Sequence, residues 1–302
     1  PVLATTDNPP FHASAMDGYA VRAADVHDGA VLQQIGASQA GDGFSGVVEP
    51  GTCARIFTGA PVPEGADAVV MQEQTMADGQ AITFLADTVS GKNIRSHGHD
   101  FHTGDVLIAP GTRLTPQHLA LTAAANHSHV TVAKQLAVAI MATGDELVPP
   151  GSPLTAGKIV GSNTFGLKPL FAPFAGTVAD CGIIPDDMGT LVDAIGSALA
   201  GQPDLLITTG GASVGEHDLV QDALKANGVE IDFWRIAMRP GKPLMFGRKG
   251  KTIVFGLPGN PVSALVTATV FVLPAMRAML GEIPPAPVVL PPAAPLAPNG
   301  PR

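Results

Sequence analysis

The stretch Asp204–Asp218, DLLITTGGASVGEHD, decides the fold of the second half of the chain. It begins as the apolar, partly β-branched run Leu205–Thr209 and then breaks into the pair Gly210-Gly211. Such a run is typical of a strand buried on both faces of a parallel sheet. Open α/β sheets bind ligands where these strands end in glycine turns, because glycine lets the backbone approach an anion with its N–H groups. An ordinary strand-to-helix turn has the same local sequence, so further turns of this kind are needed to indicate a site.

Strands and helices alternate on both sides of this stretch. Apolar strands are predicted at Leu136–Met141, Val178–Ile184 and Thr252–Leu257. Helices are predicted at Thr190–Ala200 and Leu219–Asn227. This alternation predicts an α/β domain with a parallel-rich sheet.

Three of these strands deliver acidic residues at the same end: Asp145 with Glu146, Asp186 with Asp187, and Glu216 with Asp218. Because the carboxyl ends of parallel strands lie at one edge of a sheet, we expect these carboxylates to lie close together. A cation would relieve their repulsion, and Mg²⁺ is suited because it takes few carboxylates plus substrate phosphate oxygens. Solvation or helix N-capping explains any one turn taken alone.

Positive charge is concentrated in the segment 234–244, WRIAMRPGKPL. Arg235, Arg239 and Lys242 are suited to an oxyanion or a phosphate. The segment is not a Walker A loop, and the glycines of 210–215 do not form a G-x-G-x-x-G fingerprint, so those two kinds of nucleotide site are excluded.

A third turn of the same construction follows the strand Thr252–Leu257. It contains Pro258, Gly259, Asn260 and Pro261. Asn260 is predicted at the N-cap and Pro261 at the first position of a long apolar helix, whose amide end attracts an anion.

The first part of the chain has a different pattern. Short alternating runs between residues 31 and 84 predict a small antiparallel barrel or sandwich. Asp17, within SAMDGYAVR, predicts a turn in which the aspartate caps its own backbone. Thr58 is predicted at a strand end, where its hydroxyl either serves a ligand or caps the turn.

The segment 97–102, HGHDFH, contains three histidines and the aspartate Asp100. A metal site is one interpretation, but no apolar strand precedes the segment and no second group of ligands follows it, whereas zinc sites need convergent, supported ligands. We therefore expect a solvated loop in which Asp100 is the useful carboxylate.

Bulk properties restrict the class of protein. A chain of 302 residues suggests two or more domains, and its 45% hydrophobic but 5% aromatic composition implies an aliphatic core. The net charge of −9 argues against a nucleic-acid surface. Cys53 and Cys181 are interpreted as buried thiols of a cytosolic protein. We find no signal peptide and no apolar span of 18 residues, and therefore expect a soluble, cytoplasmic protein without a membrane partner.

Taken together, the motifs resemble one family, the molybdopterin molybdenumtransferases or molybdenum insertases, which include bacterial MoeA and the E domain of gephyrin. The resemblance extends in order from residue 14 to about residue 281 and rests on SAMDGYAVR, FTGAPVPEGADAVVMQE, NIRSHGHDF, TGDEL, TTGGASVGEHD, RPGKP and GLPGNPVSA. The TGDEL and GG-x-SVG motifs also resemble molybdopterin adenylyltransferases, which lack the motifs of residues 1–135.

The resemblance implies that the chain binds adenylylated molybdopterin and molybdate, inserts the metal and releases AMP. It implies Mg²⁺, a homodimer, and partners among molybdopterin adenylyltransferase and other cofactor-assembly proteins. It also implies a site formed by the α/β domain of one subunit and the first part of the other.

By motif, the catalytic residues are expected to be Asp145, Glu146, Asp186 and Asp218 on the α/β side and Asp17, Thr58 and Asp100 on the partner side. Substrate is expected to contact Gly210, Gly211, Ser213, Gly215, Arg235, Arg239, Lys242, Pro258, Asn260 and Pro261. Asp186 and Asp218 are the expected Mg²⁺ ligands.

The expected fold is α/β and multidomain. Residues 1–30 and 90–134 form a linking α+β dimerisation domain, residues 31–89 a small β-barrel domain, and residues 135–282 a three-layer α/β molybdopterin-binding domain. Residues 283–302 begin a truncated C-terminal β domain, and we expect the family's leading helical segment to be absent.

The chain departs from the family pattern at several positions. Gly161 stands where the family often has aspartate, and Arg235 and Arg239 stand where lysines often occur. Guanidinium keeps the charge but changes the geometry available to an oxyanion.

Two alternative functions remain open from the sequence. The enzymatic one is a molybdopterin adenylyltransferase that uses ATP. The other is a non-catalytic scaffold of the gephyrin type.

Overall fold

The computed structural model describes residues 1–211, 219–284, 286 and 288–291. The predicted site residues Ser213, Gly215 and Asp218 lie outside the described residues, as does Glu216. The chain divides into two compact units, Pro1–Thr131 and Val132–Arg302, and each is described by itself. The predicted domain boundary at residues 134/135 lies close to this division.

The first unit is rich in short strands. Its elements are β1 (Val2–Leu3), β2 (Ala13–Ser14), β3 (Gly18–Val21), β4 (Val31–Ser38), β5 (Thr52–Ile56), β6 (Ala68–Met71), β7 (Thr75–Asp78), β8 (Ala81–Phe84), β9 (Ile94–Arg95), β10 (Val106–Ile108) and the helix α1 (Pro116–Ala124). Helix α1 begins at Pro116, and Thr115 forms a capping box with His118.

Six of these strands form one sheet in the order β6-β3-β5-β4-β8-β7. The sheet is mixed rather than antiparallel, because β4 and β5 are parallel. Residues 39–51 connect these two strands, and a connection of about a dozen residues is long enough for a parallel crossover. Strand β3, which the sequence places in the linking part, pairs with both β5 and β6. Within residues 1–131, all of which are described, β6 and β7 do not pair with each other, so the sheet is open.

The second unit alternates strands and helices. Its elements are β11 (Leu136–Thr143), β12 (Leu147–Val148), β13 (Ile159–Val160), α2 (Asn163–Phe171), β14 (Ala175–Ile184), α3 (Met188–Ala200), β15 (Leu205–Thr209), α4 (Leu219–Ala226), β16 (Glu230–Phe233), β17 (Met245–Lys249), β18 (Thr252–Leu257), α5 (Pro261–Thr267) and α6 (Leu273–Met279), with a π-helical segment (Ala268–Val272) between the last two.

A six-stranded sheet in the order β14-β11-β15-β18-β17-β16 forms the middle layer of this unit. The first four strands are parallel, and the last two are antiparallel to their neighbours. Alternate residues of the buried strands enter two separate cores: Leu205 and Ile207 pack with α2, α5 and α6, whereas Leu206 packs with α3 and α4. The predicted three-layer, parallel-rich architecture is confirmed.

The statement that the chain contains no apolar span of 18 residues is wrong. The helix Pro261–Met279 has 19 residues and a mean hydropathy of 1.7, which is long and apolar enough to cross a membrane by length and composition alone. Ala264, Ala268, Val272 and Met276 recur every four residues and lie in the core against the sheet. Because of this stripe, we interpret the segment as a helix that packs against the six-stranded sheet of the second unit.

Both cysteines are free. Cys53 is buried, and burial raises the pKa of its thiol to about 12. Cys181 is only half-buried, contrary to the expectation, because β14 is an edge strand of the sheet and only its end residues, Ala175 and Ile184, are buried.

Candidate functional site

Three strand ends of the second unit meet at one edge of its sheet. Gly210, directly after β15, has φ +94°, and a Cβ there would lie 2.2 Å from the carbonyl oxygen of Thr143 at the end of β11. Gly259, beyond β18, approaches the same residue, since a Cβ on it would lie 3.4 Å from the Cα of Gly210. The glycine turn is therefore packed too closely for a side chain at position 210.

The acidic turns after β11 and β14 are adjacent, as predicted. The backbone N–H of Asp186 donates to Asp145 Oδ1 at 3.1 Å. Burial, followed by the charges of Asp145 and Glu146, raises the pKa of Asp186. A cation bound here would relieve the repulsion between the Asp186 carboxylate and its two acidic neighbours.

Asp187 has a different role from its neighbour. Its Oδ1 accepts hydrogen bonds from the backbone N–H and the hydroxyl of Thr190, each at 2.8 Å, so it is the N-cap of α3. The backbone bond, then the hydroxyl bond, lowers the pKa of Asp187. Helix capping, the alternative for a single acidic turn, applies to this residue.

The cationic segment joins β16 to β17 at the same edge of the sheet, since Met245 at the start of β17 pairs with Gly256 near the end of β18. Arg235, exposed like Arg239 and Lys242, lies over the ring of Trp234, 3.7 Å from its centroid. Gly241 packs on α5, where a Cβ would lie 2.4 Å from Thr267 Cγ2.

The acidic and cationic groups are separated by the glycine turn. Strands β15 and β18 lie between β11 and β17. At about 4.8 Å per strand, the Asp145 turn and the cationic segment are roughly 14 Å apart along the edge. This exceeds the length of an ion pair, so the acidic and cationic groups are too far apart to pair with each other.

The helix N-terminus after β18 is formed as predicted. Asn260 Oδ1 accepts from the backbone N–H groups of Val262 at 3.0 Å and Ser263 at 3.2 Å, and Pro261 is the first helical residue. Asn163 Nδ2 donates to the carbonyl of Gly259 at 2.9 Å, which fixes the turn that holds Pro258.

A cavity of about 590 Å³ opens beside Asp145 within the second unit. It lies between the ends of β11 and β14 and helix α2, and it is lined by Ala142, Gly144, Asp145, Leu147, Pro149, Pro150, Lys158, Gly161, Thr164, Phe165, Asp180, Gly182, Ile183 and Pro185.

Two lining residues were missed by the sequence reasoning. Lys158 donates from Nζ to the carbonyl of Asp145, and the side chain of Phe165 lines the cavity although the residue is 61% exposed. Lys158 could have been found, because lysine is scarce in this acidic chain; Phe165 resembles any other apolar residue of α2. Gly161 also lines the cavity, so an aspartate there would add a carboxylate to its wall.

The predicted residues of the first unit form two separate contacts. Asp17 Oδ1 accepts from the backbone N–H of Thr58 at 2.7 Å and from its hydroxyl at 2.9 Å. The backbone bond of Thr58, then the hydroxyl bond, lowers the pKa of Asp17, and Arg55 contributes in the same direction. The prediction that Asp17 caps its own turn is wrong, because its acceptor oxygen is used across the sheet by a residue 41 positions away.

Asp100, the third predicted residue of this unit, is linked to Asn8. Asn8 Nδ2 donates to Asp100 Oδ2 at 3.1 Å, and the backbone N–H of Asp100 donates to the carbonyl of Asn8 at 2.9 Å. The carboxylate is exposed, as expected for a solvated loop.

The second unit is an α/β domain whose sheet edge carries acidic groups on one side of a glycine turn and a cationic segment on the other. Residues 1–126 match the family model for the MoeA N-terminal region, domains I and II, and residues 139–278 match the model for a probable molybdopterin-binding domain.

Curated relatives lead to the same family. The chain is 42% identical over 282 residues to the molybdopterin molybdenumtransferase of Haemophilus influenzae, covering 93% of this chain and 69% of that protein. It is 38% identical to the corresponding protein of Nostoc sp., of which it covers 66%.

Solved structures agree. Two crystal structures of the molybdopterin biosynthesis MoeA protein of Pyrococcus horikoshii match with TM-scores of 0.79 and 0.78 at 32% and 30% identity, covering 93% of this chain and 71% and 70% of those chains. The chain belongs to the molybdopterin molybdenumtransferase family.

Proposed function

We propose that this chain is a transferase of molybdenum cofactor biosynthesis, which inserts molybdate into adenylylated molybdopterin with release of AMP. The observation that carries the proposal is the order of charges along the sheet edge: carboxylates at Asp145 and Asp186, the glycine turn at Gly210, then the cations of 235–242. An adenylylated pterin is elongated and anionic, and it needs opposite kinds of group along its length.

The cationic segment and the helix N-terminus at Asn260 are assigned to molybdate and phosphate, whose charge they oppose before the reaction begins. Electrostatic groups fixed in this way are the largest contribution in reactions among anions. The acidic turn is assigned to orienting water at the phosphoanhydride. Phe165 offers a flat apolar face in the cavity, which suits a heterocyclic ring.

Mg²⁺ belongs to the proposal, with Asp186 and Asp218 as its expected protein ligands and Asp145 as a neighbouring carboxylate that accepts from the Asp186 backbone N–H. The raised pKa of Asp186 fits a position that a cation occupies. Among the described residues, Asp145, Glu146 and Asp186 do not bring three ligand oxygens within 4.8 Å of one another. Mg²⁺ usually keeps several waters and binds one or two carboxylates plus substrate phosphate oxygens, so two protein ligands are sufficient for this ion. When bound, the ion would neutralise phosphate charge.

We further propose a cytoplasmic homodimer in which Asp17, Thr58 and Asp100 of one subunit complete the site of the other. A molybdopterin adenylyltransferase is the proposed supplier of substrate. The match of residues 1–126 to the MoeA N-terminal region favours insertion over adenylylation, because the related adenylyltransferases lack those motifs.

The decisive experiment supplies the purified chain with adenylylated molybdopterin, Mg²⁺ and molybdate, and measures AMP and completed cofactor. We expect AMP release that requires molybdate. Lys242→Ala should lower the rate by about 100-fold, as for loss of one preorganised oxyanion group. Lys249→Ala is the matched control, because Lys249 pairs with Thr252 at the opposite end of β17.

Three results would contradict the proposal. One is formation of adenylylated pterin from ATP without a molybdate requirement, which would favour the adenylyltransferase. Another is binding of a peptide partner with the adenylylated cofactor left intact, which would favour the scaffold. The third is an equal loss in the Lys242 and Lys249 variants.

A further inference from the structure

The histidine loop of the first unit contains a second group of polar side chains that the proposed reaction does not use. His97 and His102 converge on Asp7, which lies 90 positions upstream of His97. His97 Nε2 is 3.0 Å and His102 Nδ1 is 3.9 Å from Asp7 Oδ2. One ligand atom from each residue lies within 4.8 Å of the other two.

We propose that Asp7, His97 and His102 form a binding site for a divalent transition-metal ion of the zinc class. Two imidazoles and one carboxylate are a ligand set used by zinc, and bonds of about 2.0–2.2 Å place tetrahedral ligand atoms about 3.4 Å apart. The two separations from Asp7 Oδ2, 3.0 Å and 3.9 Å, lie on either side of that value, and the ligand atoms of the two imidazoles lie within 4.8 Å of each other, so small side-chain shifts would admit the ion.

The carboxylate of Asp7 is held in position for this role. Its Oδ1 accepts from the backbone N–H of Thr103 at 2.6 Å and from the Thr103 hydroxyl at 2.7 Å, which leaves Oδ2 facing the imidazoles. Hydrogen bonds that orient a metal ligand through its second atom are typical of protein metal sites.

The loop backbone also favours the site. Gly98 has φ +68°, and a Cβ there would lie 2.0 Å from Cε1 of the His102 ring. Glycine at this position therefore lets the imidazole lie against the backbone. The side chains of His97 and His102 are 45% and 63% exposed, so a fourth position is open to water.

This inference is independent of the proposed function. The ion would join the segment at Asp7 to the loop 97–102, next to the Asn8–Asp100 contact. Because the ion would bind the folded unit and not the unfolded chain, it would stabilise the first unit.

The test uses the full chain without a histidine tag, treated with chelator and titrated with Co²⁺ as the spectroscopic probe and Zn²⁺ as the competitor. We expect about one equivalent of Co²⁺ with the visible d–d bands of a low-coordinate nitrogen–oxygen site, displaced by Zn²⁺. The melting temperature should rise when Zn²⁺ is added.

Single variants decide which residues bind. His97→Gln, His102→Gln and Asp7→Asn should each abolish the Co²⁺ bands, while Thr103→Val should weaken binding by about 10- to 100-fold. His99→Gln is the matched control, because His99 is an exposed histidine of the same loop outside the group. Circular dichroism of the metal-free variants separates loss of binding from loss of fold. Absence of stoichiometric binding in the wild-type chain, or equal loss in His99→Gln, would overturn the proposal.

Discussion

Asp186 and Asp187 are adjacent, yet their carboxyl groups have opposite pKa shifts. Burial and two neighbouring carboxylates raise the pKa of Asp186, whereas the hydrogen bonds from Thr190 lower that of Asp187. A difference in pKa between the folded and unfolded states is a free-energy difference. The raised pKa of Asp186 therefore lowers the stability of the fold at neutral pH, and the lowered pKa of Asp187 increases it. Position in the turn thus separates a candidate functional carboxylate from a structural one.

We predict that Asp186→Asn raises the melting temperature at pH 7 while it lowers activity. The folded-state pKa of Asp186 lies above the unfolded value of 3.8. At a pH above the folded-state pKa the side chain is ionised in the wild type, and this lowers the free energy of unfolding. This effect disappears as the pH falls below about 3.8, where the group is protonated in both states. Melting curves from pH 7 to pH 3 measure the difference.

Asp187→Ala is the comparison variant, and we expect its change in melting temperature at pH 7 to have the opposite sign. Its folded-state pKa is lowered, so the carboxylate stabilises the wild type above pH 3.8 and this contribution is lost as the pH falls through the folded value. The variant should therefore melt lower at pH 7. Equal shifts of the same sign in the two variants would contradict this account.

The glycine turn after β15 depends on close backbone contact as well as on its dihedral angle. We predict that Gly210→Ala costs about 1–2 kcal/mol for the unfavourable φ and about 1–3 kcal/mol more for the overlap with Thr143. The control is Gly250→Ala in the β17–β18 turn, which has φ +57° but open space around a Cβ. Urea unfolding gives both free energies, and equal losses would show that the contact is unimportant.

The N-terminus of α5 has a structural and an electrostatic role, which two substitutions separate. Asn260→Ala should cost about 1 kcal/mol through loss of the cap, whereas Asn260→Asp should keep the cap because aspartate is an equally good N-cap residue. The aspartate nevertheless places a negative charge where an anion is expected. We predict that Asn260→Asp retains stability but loses molybdate-dependent AMP release. Full activity in this variant would exclude an anion at the helix end.

The sequence predicted the elements with a strong local pattern. All five residues of β15 are buried, and Leu191, Ile195 and Leu199 of the helix predicted at Thr190–Ala200 lie in the core. Strand β16 was missed because it has four residues, too few for its alternation of Glu230, Ile231, Asp232 and Phe233 to be distinctive, and none of them is buried. The parallel pairing of β4 with β5 was missed because it depends on the connection between them.

The candidate sites show the same division between local and distant signals. The acidic turn at Asp145 and the cap at Asn260 could be predicted from adjacent residues. The bond between Asp17 and Thr58 and the convergence of Asp7 on the histidines join residues 41 and 90 positions apart, which no local pattern reveals. The predicted Ser213, Gly215 and Asp218 lie outside the described residues and stay predictions.

At the scale of the whole molecule, an acidic chain has to bind an anionic substrate. The net charge of −9 repels such a ligand at long range, so binding depends on the few cations gathered at residues 235–242. Salt screens the distant repulsion more than it weakens the close contacts. The layout therefore favours a substrate that is held locally rather than steered from a distance.

The proposed dimer can be tested by mixing two variants that are each expected to be inactive. If Asp17 of one subunit serves the Asp186 site of its partner, an equimolar, refolded mixture of Asp17→Asn and Asp186→Asn chains contains heterodimers with one intact site each. Random pairing then restores about a quarter of wild-type activity, because half of the dimers are mixed and half of their sites are intact. Each variant alone, refolded in the same way, is the control. If activity does not return although mixed dimers are present, each chain uses only its own residues, since a site contained in one chain can never combine the two intact halves.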